Sequence, residues 1–261
     1  MRVPLTRQAA AAGLVAVAAL VLGAAPASAA PGDASAHGAR LDLALSGRGA
    51  VSAGPFAAAT ADGPTSTTSA SVDVPGVLKT GAVDASASRD DKTGAVGSRA
   101  STADVRLDLL PTVTGGLSAD LVEAECAATQ KGLTGRAGFV GLDLGRLGEA
   151  GVGVGADPAP NTALDVDLRG VDVARVVVNE QLRNADGSLT VNAVHVTLLG
   201  DAPGSVGAGD LVLSSATCGP AGLPIPMASG AGRWLGLGLL ALFGVPVGAS
   251  ALRRRHDLAA G

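Results

Sequence analysis

Hydrophobic and polar positions follow two regimes along this 261-residue chain. The ends are continuous apolar runs, and the middle is a series of short alternations. Leu41-Asp42-Leu43-Ala44-Leu45-Ser46, Thr67 to Val74, Val77 to Ser86, Ala95 to Leu109, Leu117 to Ala127, Leu164 to Leu168 and Leu211 to Cys218 alternate or are β-branched. Gly, Pro, Asp and Asn interrupt them, the pattern of half-buried strands separated by turns. Asp120 to Lys131 comes nearest to a helical repeat and is read as strand. The clearest local element is a hairpin over Ala174 to Leu199. Arg175 to Gln181 and Leu189 to Leu199 are its strands, and Asn184-Ala185-Asp186-Gly187 is a turn cluster whose Gly tolerates positive φ. About ten strands at roughly 8–15-residue spacing without crossover helices predict an all-β, β-sandwich-like domain over 41–218. A Gly-rich solenoid competes, but no fixed period supports it.

The apolar ends predict an address. In 1–29, Arg2 and Arg7 precede an apolar stretch from Ala9 to Leu22, and Ala27-Ser28-Ala29 supplies the small residues of a signal-cleavage site. Cutting after Ala29 keeps Pro31 away from the scissile bond. Near the other end, Trp234 to Leu252 carries no charge and as a helix would extend about 28 Å, close to a bilayer's hydrocarbon thickness. Arg253-Arg254-Arg255 follows as a stop-transfer cluster, placing 253–261 in the cytoplasm and the bulk of the chain outside. The predicted organisation is a leader, a loose segment over 30–40, the β-domain, a Gly/Pro linker over 219–232, and a spanning helix over 233–252. Leu223-Pro224-Ile225-Pro226-Met227 lacks the Thr that a sortase attacks, and the arginine cluster argues against a GPI signal. The expected location is the cell membrane, single-pass type I, with the domain at the cell surface.

Composition sharpens this picture. Mean hydropathy is +0.38 and formal net charge −4. Between Ala30 and Gly222, 13 cationic against 22 acidic side chains leave −9, which repels nucleic acid. The two cysteines, Cys126 and Cys218, both fall in the expected exterior segment, where an oxidising compartment predicts one disulfide. Two free buried thiols, or a redox or nucleophilic cysteine, are the alternatives. With three Phe, one Trp and no Tyr, tight aromatic hot spots and sugar-stacking platforms are scarce. Expected partners are the membrane, through the C-terminal helix, and cell-wall or surface proteins met weakly or by strand addition.

Val176 to Thr197 (VVVNEQLRNADGSLTVNAVHVT), with Gly209-Asp210-Leu211-Val212-Leu213 and Cys218, resembles the choice-of-anchor P family of exported actinobacterial surface proteins. Val74-Pro75-Gly76-Val77-Leu78 and the Ala124-Glu125-Cys126 context fit it too. The resemblance implies surface display and leaves activity open.

Candidate chemistry is sparse. His37 falls in the segment read as loose and His256 in the tail. His195, on one strand face with Leu189, Val191 and Ala193, reads as a packed core or sheet-end histidine. Asn179-Glu180 at a strand end suggests a glycosidase carboxylate, but its second carboxylate is unassigned and Asp186 would be an arbitrary partner. This leaves an envelope hydrolase using Glu180 as the alternative to a non-catalytic surface domain. Ser52 in Ala50 to Gly54 approximates a nucleophile elbow with no helix after it. Gly151 to Gly155 precedes Pro158 and Pro160, not a phosphate-binding helix. No catalytic, cofactor-binding or metal residue is assigned. Asp165, Asp167 and Asp172, or Asp90 with Asp91, are weak candidates for extracellular Ca²⁺.

Overall fold

The computed structural model describes residues 30–47, 49–109, 116–145, 154–167, 171–200 and 207–223. Among them the alternating runs form two antiparallel seven-stranded sheets packed face to face. The first contains β1 (Ala34–Leu45), β2 (Gly49–Phe56), β3 (Ala59–Thr60), β11 (Thr162–Asp167), β12 (Asp172–Arg183), β13 (Leu189–Leu198) and β14 (Gly207–Cys218). Its order is β11-β12-β13-β14-β1-β2, with β3 also on β1. The second contains β4 (Ser66–Ser69), β5 (Val72–Val74), β6 (Leu78–Thr80), β7 (Val83–Asp90), β8 (Ala95–Leu107), β9 (Leu117–Thr129) and β10 (Gly132–Val140). There the path is β10-β9-β8-β6-β5, while β7 pairs with both β8 and β4. The fold is therefore all-β and sandwich-like. The signal-peptide, spanning-helix and tail segments, with Ala27, Ala29, Arg253, Arg254, Arg255 and the linker beyond Leu223, lie outside the described residues.

Two boundaries differ from the sequence reading. The segment over 30–40, expected to be loose, contributes most of its length to β1, a strand paired on both sides. Its small residues hid an alternation: Ala34 and Ala36 are buried while Ser35 is exposed. Gly219 to Gly222, expected to open a linker, are bonded to the domain. Gly219 N donates to Asp33 O, Gly32 N to Pro220 O and Gly222 N to Gly94 O, each at 2.8 Å. Thr67 to Val74 and Val77 to Ser86 also each divide into two strands, which raises the strand number above ten. The Ala174–Leu199 hairpin forms as expected, paired from Ala174↔Leu198 to Arg183↔Leu189.

Between the sheets lies a core of Val, Leu and Ala with almost no aromatic content. Leu41, Leu211, Leu213, Val83, Val176 and Val178 are among its fully buried side chains. Small residues let the layers approach closely, and polar bridges cross the gap. Thr102 Oγ1 lies 3.0 Å from Ser214 Oγ, and Ser214 Oγ donates to Val122 O at 2.9 Å. Thr102 Oγ1 also approaches Gly38 O at 3.2 Å, and Ser98 Oγ donates to Thr217 O at 2.9 Å. These buried hydroxyls are satisfied, as burial demands. A disulfide joins Cys126 of β9 to Cys218 of β14 with Cα atoms 5.7 Å apart, linking one sheet covalently to the other.

The strict period of two breaks in four neighbouring strands at a shared level, and there it breaks in register. Gly38-Ala39, Leu213-Ser214, Ala193-Val194 and Val178-Asn179 are consecutive buried pairs on β1, β14, β13 and β12. They occupy one transverse band of the sheet. Asn179 (φ 50°) and Ser214 (φ 51°) adopt the left-handed conformation there, uncommon outside glycine. Inward-facing parity reverses across this band. That reversal decides which side chains meet on the outer face.

Candidate functional site

The outer face of the first sheet carries polar residues in rows that run across its strands. One row is His37, Ser215, Asn192 and Glu180, set by the pairings His37↔Ser215, Asn192↔Ser215 and Glu180↔Asn192. Beyond the parity reversal, His195 lies opposite Val177 and Val212. The row after it contains Arg175, Thr197, Asp210, Asp42 and Ser52. Without the reversal His195 would point into the core with Leu189, Val191 and Ala193, as the sequence suggested. Val194 and Val196 take the inward positions instead, leaving His195 half-buried on the outer face.

There both ring nitrogens face carboxylates. His195 Nδ1 is 2.9 Å from Glu180 Oε2, and Nε2 is 3.1 Å from Asp210 Oδ1. Asn192 Nδ2 donates to the same Glu180 oxygen at 2.7 Å, and Thr197 Oγ1 donates to Asp210 Oδ1 at 2.8 Å. Only the imidazolium donates to both carboxylates at once. The hydrogen bond to Glu180 accordingly raises the His195 pKa above 6.5, against burial, with Asp210 adding to the rise. Burial works to raise Glu180, but the His195 and Asn192 hydrogen bonds prevail and hold it below its ordinary 4.5. Glu180 is the sheltered partner, with 13% of its side chain exposed against 56% for Asp210.

His37 is the electrostatic opposite. Its Nε2 is buried without a hydrogen-bond partner, and burial, then the Arg40 charge, hold its pKa down to about 4. The two histidines therefore respond to pH with opposite signs. Stabilisation by His195 is complete below pH 6.5 and disappears as pH rises through its higher folded value. Glu180 contributes above pH 4.5 and loses that contribution as pH falls through its lower folded value. Stabilisation from keeping His37 neutral is present above 6.5 and lost as pH falls toward 4. Urea unfolding near pH 5.5 and near pH 8.5 should show His195→Gln destabilising more at the acidic value. His37→Leu should instead flatten the acid-side loss of the wild-type protein. A His195→Gln penalty equal at both pH values contradicts the carboxylate-paired geometry.

Chemically, this cluster holds a proton firmly. A histidine acting as general base needs a free nitrogen at neutral pH, whereas each His195 nitrogen faces a carboxylate. Thr197 Oγ1 is 3.5 Å from His195 Nε2, but its hydroxyl is directed to Asp210. Asp186, the arbitrary partner considered for Glu180, instead accepts from Ser188 N and Oγ in the hairpin turn. Asp210, Asn192 and Thr197 were missed in the sequence.

Other sequence candidates are dispersed. Ser52 sits on edge strand β2, and its hydroxyl donates to Asp42. Asp165 lies 3.8 Å from Arg175, and Asp91 3.3 Å from Arg89. Asp90 accepts from Lys92 N and Thr93 Oγ1 within its own turn. Asp167 and Asp172 oppose one another at the β11–β12 end. Among the described residues, no three His, Cys, Asp or Glu side chains form a metal-holding group. Most of the Gly151 to Gly155 run and all of His256 lie outside the described residues. Comparison with protein-family models, curated proteins and solved structures gives no match to this chain.

Proposed function

We propose that this is an exported, membrane-anchored surface protein whose β-domain has a structural or interaction role and no catalytic one. The Cys126–Cys218 bridge carries the reading. It joins the two sheets inside the core, and such bridges persist in oxidising exteriors and are rare in the cytosol. The leader-like N-terminus, the apolar run ending at Arg253-Arg254-Arg255 and the choice-of-anchor P resemblance point to the same location. Non-catalytic character is supported by the engagement of both His195 nitrogens. Partners of this reading are the membrane and cell-wall or surface proteins.

Protease shaving of intact cells tests it. The β-domain should be released from the surface, and its thiols should react with an impermeant maleimide only after reduction. Protection of the domain in intact cells, with degradation after lysis, overturns the reading.

Glu180, His195 and Asp210 favour one competing reading, an envelope hydrolase using these carboxylates. Wild-type and Glu180→Gln proteins on a panel of wall polysaccharides separate the two. The non-catalytic reading expects no hydrolysis by either. Hydrolysis by wild type that falls about 100-fold or more in Glu180→Gln establishes the hydrolase.

A further inference from the structure

A second polar feature lies on the same outer face, toward the end where the described chain begins and ends. Thr60, Ser35, Thr217 and Thr190 form a transverse row across β3, β1, β14 and β13. A hollow of about 420 Å³ opens over them, bordered by His37, Asp33 and Asp62 among others. Its volume lies within the range of small-molecule sites, roughly 300–1,000 Å³.

The chemistry of the lining selects a ligand class. Lys and Arg are absent from the lining residues, and two carboxylates are present, so phosphates and carboxylates are repelled. Among the described residues the two carboxylates belong to no group of three or more metal-ligating side chains, and each already accepts a hydrogen bond. Asp33 Oδ2 accepts from Ala30 N at 2.8 Å, and Asp62 Oδ1 from the Arg89 guanidinium at 2.7 Å. Each retains one oxygen as a hydrogen-bond acceptor, and the Asp62 charge is paired with Arg89. Thr190 and Thr217 bond one another at 2.9 Å, whereas the Ser35 and Thr60 hydroxyls make no hydrogen bond among the described residues. The imidazole of His37, kept neutral by burial, borders the hollow without adding charge.

We infer that this hollow binds one neutral sugar residue, its ring hydroxyls paired with Ser35, Thr60 and the remaining oxygens of Asp33 and Asp62. Neighbouring strands place the hydroxyl row at about 4.8 Å intervals, a span that alternate hydroxyls of a pyranose ring bridge. A hydroxyl both donates and accepts, as this mixed set of groups requires. The lining contains no aromatic ring for the sugar to stack on, so binding is millimolar and serves repeated contacts along a polymer. The site stands on the hollow alone. Only the source of the sugar, an envelope glycan, rests on the surface reading.

The test uses the purified full chain in detergent and saturation-transfer NMR. Glucose, galactose, arabinose and N-acetylglucosamine are offered separately at millimolar concentration, with solubilised envelope polysaccharide as a second arm. Transfer to ring protons is expected for at least one free sugar or for the polysaccharide. It should fall to the protein-free level in Ser35→Val/Thr60→Val, whose outward positions tolerate β-branched residues. Ser35→Phe, which fills the space from an exposed lining position of β1, gives the same test if the paired variant does not fold. No transfer in either arm, the result for a hollow holding only water, overturns the proposal. So does transfer that persists in a folded variant. Because the protein is purified, failure here leaves the surface assignment standing, and cytoplasmic protection of the domain leaves the sugar site standing.

Discussion

Replacing Cys126 and Cys218 together by alanine should destabilise the domain by about 4–5 kcal/mol in the chain-entropy description, within the range of 0–5 kcal/mol found for such bridges. The reason lies in the loop. The two cysteines are 92 residues apart, so the bond restricts more than a third of the chain while it is unfolded. The native state adds a local contribution, because both side chains are buried between the sheets. Urea unfolding of oxidised wild type against Cys126→Ala/Cys218→Ala measures the loss. Reduced wild type should unfold with the variant, and a difference below about 1 kcal/mol would mean that the bond contributes little to the fold.

Gly38→Ala should cost about 3 kcal/mol, the upper end for overpacking a core. An added Cβ would lie 1.7 Å from Val83 Cγ1 and 3.3 Å from Val83 Cβ. Val83 is fully buried, so its methyl has no exposed space to enter. The same glycine presents its carbonyl to Thr102, and a backbone shift would disturb the hydroxyl bridge between the sheets. Val83→Ala alone should cost about 2 kcal/mol for its lost methyl groups. The double variant should be less destabilised than the sum, by about 1–3 kcal/mol, because the methyl added at Gly38 enters space that Val83→Ala vacates. Additive losses would show that the Gly38–Val83 approach is not the source of the cost.

Architecture was legible wherever alternation was long and uninterrupted. Arg175 to Gln181 and Leu189 to Leu199, with their Asn-Ala-Asp-Gly turn, specify a hairpin by residue type alone, and the strands pair there. Ala34 to Arg40 was missed because alanine and serine differ little in size and the segment followed a Pro-Gly turn. The site was lost for a subtler reason. Projecting a period of two from Leu189 carries His195 into the core. The reversal is nevertheless written in the residues: Thr190 and Asn192 precede Ala193-Val194, while His195 and Thr197 follow it. Ser35 and His37 precede Gly38-Ala39 and Arg40 and Asp42 follow, giving the same shift on β1. A doubled small or apolar pair between polar positions of opposite parity is the local mark. That the strands align their reversals is a tertiary fact, set by pairing between segments far apart in sequence. So is the meeting of Glu180 with Asp210, which requires His195 between them.

The bridge's position also governs how the protein responds to pulling. Leu223 is the last described residue, only five positions beyond Cys218. Tension transmitted along the chain from that side first meets the bonds of Gly222 and Gly219, then Cys218. Peeling β14 from β1 and β13 would begin there, one rung at a time. The covalent link diverts that load into β9 of the opposite sheet, so detachment cannot proceed as a simple unzipping. A pull on the chain from the Leu223 side is shared by both layers from the start.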